Sequence, residues 1–144
     1  MPSSTDIALT LQIARKQEIA TDIVAFELVH PDREVLPHFT PGAHIGVRTP
    51  CGIERDFSLC NADEDDTYYE IAVQRESGGR GSASLIDEAA VGGTLEVTLP
   101  RNDFPLLPSA AGYVFIAGGI GITPILSMVR SLTRSSGAET LKMP

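Results

Sequence analysis

Four residues in a run of five, Arg55-Asp56-Phe57-Ser58-Leu59, bring together a fixed positive charge, a flat aromatic ring and a small hydroxyl. An extended chain rises about 3.3 Å per residue, so Arg55 and Ser58 lie roughly 10 Å apart. That span suits a ligand with an anionic end and a planar, polar end. A guanidinium fork matches phosphate geometry. An aromatic face packs on a planar ring, and a hydroxyl donates to a ring nitrogen or carbonyl. The same pattern also suits a half-buried strand with its arginine in water.

A second stretch offers a partner for the same anion. Gly78-Gly79-Arg80-Gly81-Ser82-Ala83-Ser84 runs into Leu85-Ile86-Asp87-Glu88-Ala89-Ala90, which has helical character. Glycines expose backbone N–H groups without side-chain hindrance, and Ser82 or Ser84 is expected to cap the helix. A glycine loop feeding a helix N-terminus is a ready anion site, to which Arg80 would add charge. A plain glycine hairpin loop is the other reading.

A third stretch, Gly118-Gly119-Ile120-Gly121-Ile122-Thr123-Pro124, follows the apolar run Tyr113-Val114-Phe115-Ile116-Ala117. A buried strand, a glycine turn and a helix with proline in its first turn would open a nucleotide-binding α/β unit. Pro124 stands where the third glycine of the full fingerprint would be. The helix Ile125–Leu132 is then expected to leave Ile125, Leu126, Met128 and Val129 exposed and to promote self-association through the C-terminal segment.

The elements that must position these residues read as strands. Ile7–Ala14 and Ile23–Val29 are rich in β-formers, with Arg15–Asp22 as a polar hairpin connection or strand continuation. His44–Arg48 and the Arg55 stretch follow turn signals at Pro41-Gly42 and Pro50-Cys51-Gly52. Tyr69, Ile71 and Val73 alternate with Glu70, Ala72 and Gln74, as Leu95, Val97 and Leu99 do with Thr94, Glu96 and Thr98. Six short strands with turns between them predict a mainly β fold, a closed antiparallel Greek-key barrel over residues 1–108 with one short helix. Residues 109–144 would be the incomplete start of an α/β domain.

Composition narrows the function classes. A formal net charge of −8 argues against a nucleic-acid-binding surface. The acidic run Asp63-Glu64-Asp65-Asp66 reads first as a solvated loop and second as a dock for a basic partner. The first residues have no signal-peptide pattern. The apolar run near Tyr113–Val129 is broken by glycines and Pro124, so no membrane span is expected. Two cysteines, Cys51 and Cys60, make no disulfide framework and cannot hold a four-cysteine cluster; a reduced, cytoplasmic setting fits them. His30, His38 and His44 lack metal-ligand spacing, and no metal site is predicted.

The ordered series Pro41–His44, Arg55–Asn61, Ala72–Arg75, Gly78–Ser84, Pro100–Leu106 and Gly118–Pro124 closely resembles reductase components of aromatic-ring oxygenases. These are the phthalate dioxygenase and vanillate demethylase types within the ferredoxin–NADP reductase superfamily. The resemblance implies a flavin-binding barrel followed by a pyridine-nucleotide domain and a [2Fe–2S] domain, with FMN as the flavin and FAD as the alternative. It implies Arg55 at the flavin phosphate, Phe57 against the ring or ribityl, and Ser58 near N5 as the catalytic-site hydroxyl. Asp56 would lie beside Arg55 with strand alternation turning it away.

Ala72, Val73 and Gln74 would line the ring edge, mainly through backbone groups. Gly79, Arg80, Gly81, Ser82, Ala83 and Ser84 would cradle the phosphate. Thr123 would reach the flavin from the second segment, and Gly118, Gly119 and Gly121 would form part of a nucleotide site. Hydride would pass from NADH to the flavin, then single electrons to [2Fe–2S] and an oxygenase or ferredoxin partner. The chain by itself would bind flavin and turn over NADH poorly. Phe57 in place of the common tyrosine and Gln74 in place of a lysine depart from the family pattern. They leave open a non-enzymatic binding barrel that has lost its cofactor.

Overall fold

The computed structural model describes residues 6–107 and 109–135. The long first strand, β1 (Ile7–Ala20), organises the sheet. Its first half pairs with β6 (Thr94–Thr98) and its second half with β2 (Ile23–Val29), both antiparallel. A strand can serve two neighbours this way only if it bends, and register shifts at Ile7/Leu9, Ile13/Arg15 and Glu18/Ala20 supply the bend. The polar Arg15–Ala20 stretch is therefore strand rather than loop. The hairpin turn is confined to Thr21-Asp22, with Asp22 at φ 61°.

The remaining strands are β3 (His44–Arg48), β4 (Glu54–Ser58) and β5 (Tyr68–Gln74), and the sheet order is β4-β3-β6-β1-β2-β5. The late strand β6 slots between β3 and β1, a Greek-key arrangement. The alternation read from the sequence holds for Tyr69, Ile71 and Val73 and for Leu95 and Val97, all buried, but it breaks at Leu99, which lies past the end of β6 and is exposed, and at Thr98 and Ala72, which are buried. Tyr69, Ile71, Val73, Leu95 and Val97 meet Leu11, Ile13, Phe26, Leu28, Ile45 and Val47 in one core. Tyr69 donates its hydroxyl to the Pro37 carbonyl and meets Phe39 edge-on, with ring centroids 5.8 Å apart.

The barrel does not close by a continuous ladder. β4 and β5 are the two sheet edges, and a single backbone bond just beyond β4, Cys60 N to Glu70 O at 2.8 Å, fastens one end of the seam. Toward Arg55 and Gln74 the seam stays open, which leaves edge N–H and C=O groups for another partner.

Helix α1 (Arg80–Glu88) begins five residues before the expected Leu85. Gly79 is its N-cap, and no side chain caps it. The predicted serine caps are engaged elsewhere: Ser82 Oγ accepts from Glu76 N (3.4 Å), and Ser84 Oγ donates to Gly81 O (2.8 Å). At the other end of α1, Lys16 Nζ donates to the Ile86 and Ala89 carbonyls at 2.6 and 2.7 Å.

A short 3-10 turn, Gly119–Gly121, leads into helix α2 (Ile122–Ser135). Gly119 sits at φ 57°, a conformation glycine adopts without strain. Two expectations fail here. Tyr113–Ala117 forms no strand and is not buried: Val114 and Ile116 are 90% and 88% exposed, because no neighbouring strand among the described residues pairs with them. And α2 is not a loose apolar helix. Met128 is buried, and Ile125, Leu126 and Val129 are half-buried, because α2 packs against the barrel. Among the described residues no helix is long and apolar enough to cross a membrane.

Candidate functional site

The open end of the β4–β5 seam is a cleft of about 360 Å³. β4 contributes Arg55, Asp56, Phe57 and Ser58, and β5 contributes Ala72 and Gln74. The glycine loop adds Gly79, Gly81 and Ser82, the 3-10 turn adds Ile120 and Gly121, and the start of α2 adds Thr123 and Pro124. The Arg55 stretch, the glycine loop and the Gly118–Pro124 stretch, far apart in sequence, thus meet in one place beside β5.

Arg55 is exposed, and its Nη1 donates to the Glu54 carbonyl at 3.0 Å. It forms no carboxylate ion pair among the described residues, unlike Arg48, Arg75 and Arg130. A guanidinium that is not neutralised in place is available to an incoming anion. Its stem lies across Gly81: a Cβ added to that glycine would stand 3.1 Å from Arg55 Cγ and 3.5 Å from Nε. The glycine therefore lets the arginine lie over the first turn of α1, whose N–H groups no side chain caps. Guanidinium and helix start together form a cradle suited to a phosphate.

Along β4, Phe57 stands opposite Ile45 and packs on the core while lining the cleft. Asp56 stands opposite Gly46, and a Cβ added to Gly46 would be 3.3 Å from Asp56 Oδ1. The carboxylate thus lies on the Gly46 side, off the face that carries Phe57, as strand alternation requires, even though Asp56 still borders the cleft. Ser58 is half-buried in the cleft wall.

Not every predicted site residue reaches this cleft. Val73 is buried in the core opposite Val24, so only its backbone is near the seam. Arg80 and Ala83 line a neighbouring basin with Asp22, Arg75 and Glu76 instead. Ser84 faces the turn after β3, where its Oγ also accepts from Cys51 N at 3.4 Å. Gly118 and Gly119 shape the turn before α2, and only Gly121 of that trio lines the cleft. Glu76, Ile120 and Pro124 line it too, although the sequence assigns none of them to the flavin site. Glu76 was readable in principle, since it continues the alternation of Gln74 by two residues.

The two thiols differ sharply. The Ser84 and Thr49 hydroxyls and the backbone at Ile53 bring the exposed Cys51 thiol down to about 7. Burial, reinforced by the Glu70 carboxylate, pushes Cys60 up to about 12. Among the described residues no cluster of three His, Cys, Asp or Glu side chains could hold a metal ion.

Residues 10–105 match the oxidoreductase FAD-binding domain family. The chain is 48% identical over 136 residues to phthalate dioxygenase reductase of Burkholderia cepacia, covering 94% of this chain and 42% of that protein. It is 49% identical over 123 residues to the phenoxybenzoate dioxygenase subunit beta of Ectopseudomonas oleovorans, covering 85% of this chain and 39% of that one. The solved structure of a phthalate dioxygenase reductase superposes with a TM-score of 0.87 at 49% identity, over 89% of this chain and 40% of that chain. The FAD/NAD-binding domain of nitric oxide dioxygenase from Vibrio cholerae O1 biovar El Tor superposes with a TM-score of 0.84 at 27% identity, over 90% of this chain and 58% of that chain. The chain thus spans about 40% of the length of the dioxygenase reductase relatives. Fold, cleft and sequence agree: the chain belongs to the oxidoreductase FAD-binding domain family, in the phthalate dioxygenase reductase type of the ferredoxin reductase superfamily.

Proposed function

We propose that the cleft holds a flavin, FMN rather than FAD. In this reading the chain is the flavin-binding part of an NADH-dependent reductase that serves an aromatic-ring oxygenase or demethylase. The observation that carries the reading is the un-neutralised Arg55 guanidinium lying across Gly81 at the uncapped start of α1.

Arg55 and the N–H groups of the α1 first turn would hold the phosphate, with Ser82 beside them. Phe57 would present its ring to the flavin ring or ribityl chain. The unpaired edges of β4 and β5, at Ala72 and Gln74, offer backbone donors and acceptors for the polar rim of a planar ring. Ser58 would donate its hydroxyl to a ring heteroatom and act there as a tuning group, since among the described residues no His or Asp side chain is hydrogen-bonded to it. Thr123 and Pro124 would shield the ring end from water. The bound flavin supplies the chemistry of accepting a hydride and releasing electrons one at a time. Residues 109–144 would open the pyridine-nucleotide unit. NADH, a [2Fe–2S] centre and an oxygenase or ferredoxin component are the partners this reading requires.

Titration of the chain into FMN tests the reading. Quenching of flavin fluorescence that saturates at one FMN per chain is the expected result. Flavin fluorescence left unchanged at high protein concentration would leave only a barrel that binds no cofactor.

A further inference from the structure

Helix α2 meets the barrel through buried Met128 and, beside it, a polar stripe. Thr123, Ser127, Arg130, Ser131 and Arg134 recur at three- and four-residue spacing and so share one helical face. Thr123, Ser127 and Ser131 are all buried. An apolar stripe is the usual way a helix docks, so a polar one needs a reason. The reason is what it faces: the backbone of the segment just after β4.

Ser127 Oγ donates to Asn61 O at 2.7 Å. Arg130 Nη1 donates to Cys60 O and to Glu70 Oε1, both at 2.9 Å. Ser131 Oγ accepts from Asp63 N at 3.1 Å. Arg134 pairs with Asp65, so part of the acidic run anchors this helix. Buried carbonyls need hydrogen-bond donors, and α2 supplies them at Cys60 and Asn61.

These contacts straddle the barrel seam. Cys60 and Asn61 follow β4, whereas Glu70 lies on β5. Cys60 N already bonds Glu70 O at this point, and Arg130 then grips the same two residues from outside. One guanidinium therefore registers any shift of β4 against β5. Four residues before Ser127 and seven before Arg130 on the same helix lies Thr123, which lines the same cleft as Ser58.

We propose that Ser127 and Arg130 are positioning residues for the ring end of the flavin site. By locking α2 to both strands at the seam, they set the gap between the β4 wall at Ser58 and the α2 wall at Thr123-Pro124. This inference rests on the flavin reading of the cleft. It adds that the ring end is held by α2, separately from the phosphate end held by Arg55 and Gly81.

Three ligands divide the two ends: FMN, riboflavin without the phosphate, and lumiflavin without the ribityl chain. Each is titrated into wild type, Ser127→Ala, Arg130→Gln and Arg55→Ala. Ser127→Ala and Arg130→Gln are expected to weaken all three ligands by a common factor of threefold or more, leaving the FMN-to-lumiflavin ratio unchanged. Arg55→Ala is expected to weaken FMN alone. Wild-type affinity for lumiflavin in both α2 variants would overturn the proposal and leave the flavin reading standing. Failure of wild type to bind any of the three would overturn both.

A measurement on wild type guards against variants that do not fold. Amide hydrogen exchange across Ile125–Arg130 is expected to slow when FMN is added. Exchange that is the same with and without FMN would overturn the proposal.

Discussion

Gly81 and Arg55 are packed so closely that a methyl group on the glycine would stand 3.1 Å from Arg55 Cγ. That gap is too tight for an easy fit, and the neighbour that must yield is a flexible stem. Gly81 is the second residue of α1, where alanine is favoured over glycine by up to about 1 kcal/mol. Gly81→Ala is therefore expected to have opposite effects on stability and on binding. The melting temperature should hold or rise slightly, while FMN affinity falls by about 1 kcal/mol as the guanidinium is pushed off the helix start. A thermal melt of the apo-protein and an FMN titration check the two halves. A variant that binds FMN as wild type does would show that the close packing has no part in the site.

Replacing Arg55 by alanine removes the charge itself. Loss of a charge-assisted hydrogen bond to phosphate costs about 1.5–3 kcal/mol. FMN affinity should fall by roughly one to two orders of magnitude, and riboflavin affinity should stay close to wild type. The side chain is exposed and has no carboxylate partner among the described residues, so the apo-protein melt should barely move. Equal losses for FMN and riboflavin would place Arg55 away from the phosphate.

Much of this arrangement was legible in the residues, for reasons that differ by element. β5 and β6 were readable because each buries one face, so alternation survives in the chain: Tyr69, Ile71 and Val73 against Glu70 and Gln74. The pairing of Arg55 with the glycine loop was readable because charge and backbone freedom are properties of single residue types. The docking of α2 was not. Besides Met128 its buried residues are Thr123, Ser127 and Ser131, which look like surface residues until backbone partners such as Asn61 O and Asp63 N are known. The Tyr113–Ala117 run misled in the other direction. Its apolar character suggested a buried strand, but burial depends on a neighbour, and Val114 and Ile116 meet none among the described residues. The serine caps failed because the glycine run lets α1 start at Arg80, five residues earlier than the apolar pattern begins.

The two cysteines should respond differently to an alkylating agent as pH is raised. The thiolate is the reactive form. Cys51 is exposed, and the neighbouring Ser84 and Thr49 hydroxyls favour its charged form, which moves its titration down to about 7. Its iodoacetamide labelling rate, followed by mass spectrometry, should rise with pH to half its plateau near pH 7. Buried Cys60, pushed up to about 12, should stay unlabelled in the folded chain over the same range. Ser84→Ala should move the Cys51 midpoint upward. A midpoint at the ordinary thiol value of about 8.5 in wild type would contradict the assignment.

Lys16 couples the long first strand to the end of the phosphate helix. Its ammonium donates to Ile86 O and Ala89 O and lies 5.7 Å from the centroid of the Phe26 ring. A cation at a helix C-terminus satisfies carbonyls that have no intrahelical donor and opposes the negative end of the helix dipole. Lys16→Met keeps an unbranched stem over Phe26 and removes only the charge and its bonds. Because Lys16 is half-exposed, the cost should sit near the low end for charged hydrogen bonds, about 1.5 kcal/mol. That corresponds to a melting temperature lower by roughly 5 °C in a chain of this size. The Gly79–Ser82 end of α1 is two turns away, so FMN affinity should change by less than about twofold once the melt is taken into account. An unchanged melting temperature would mean that water serves the α1 carbonyls as well as the ammonium does.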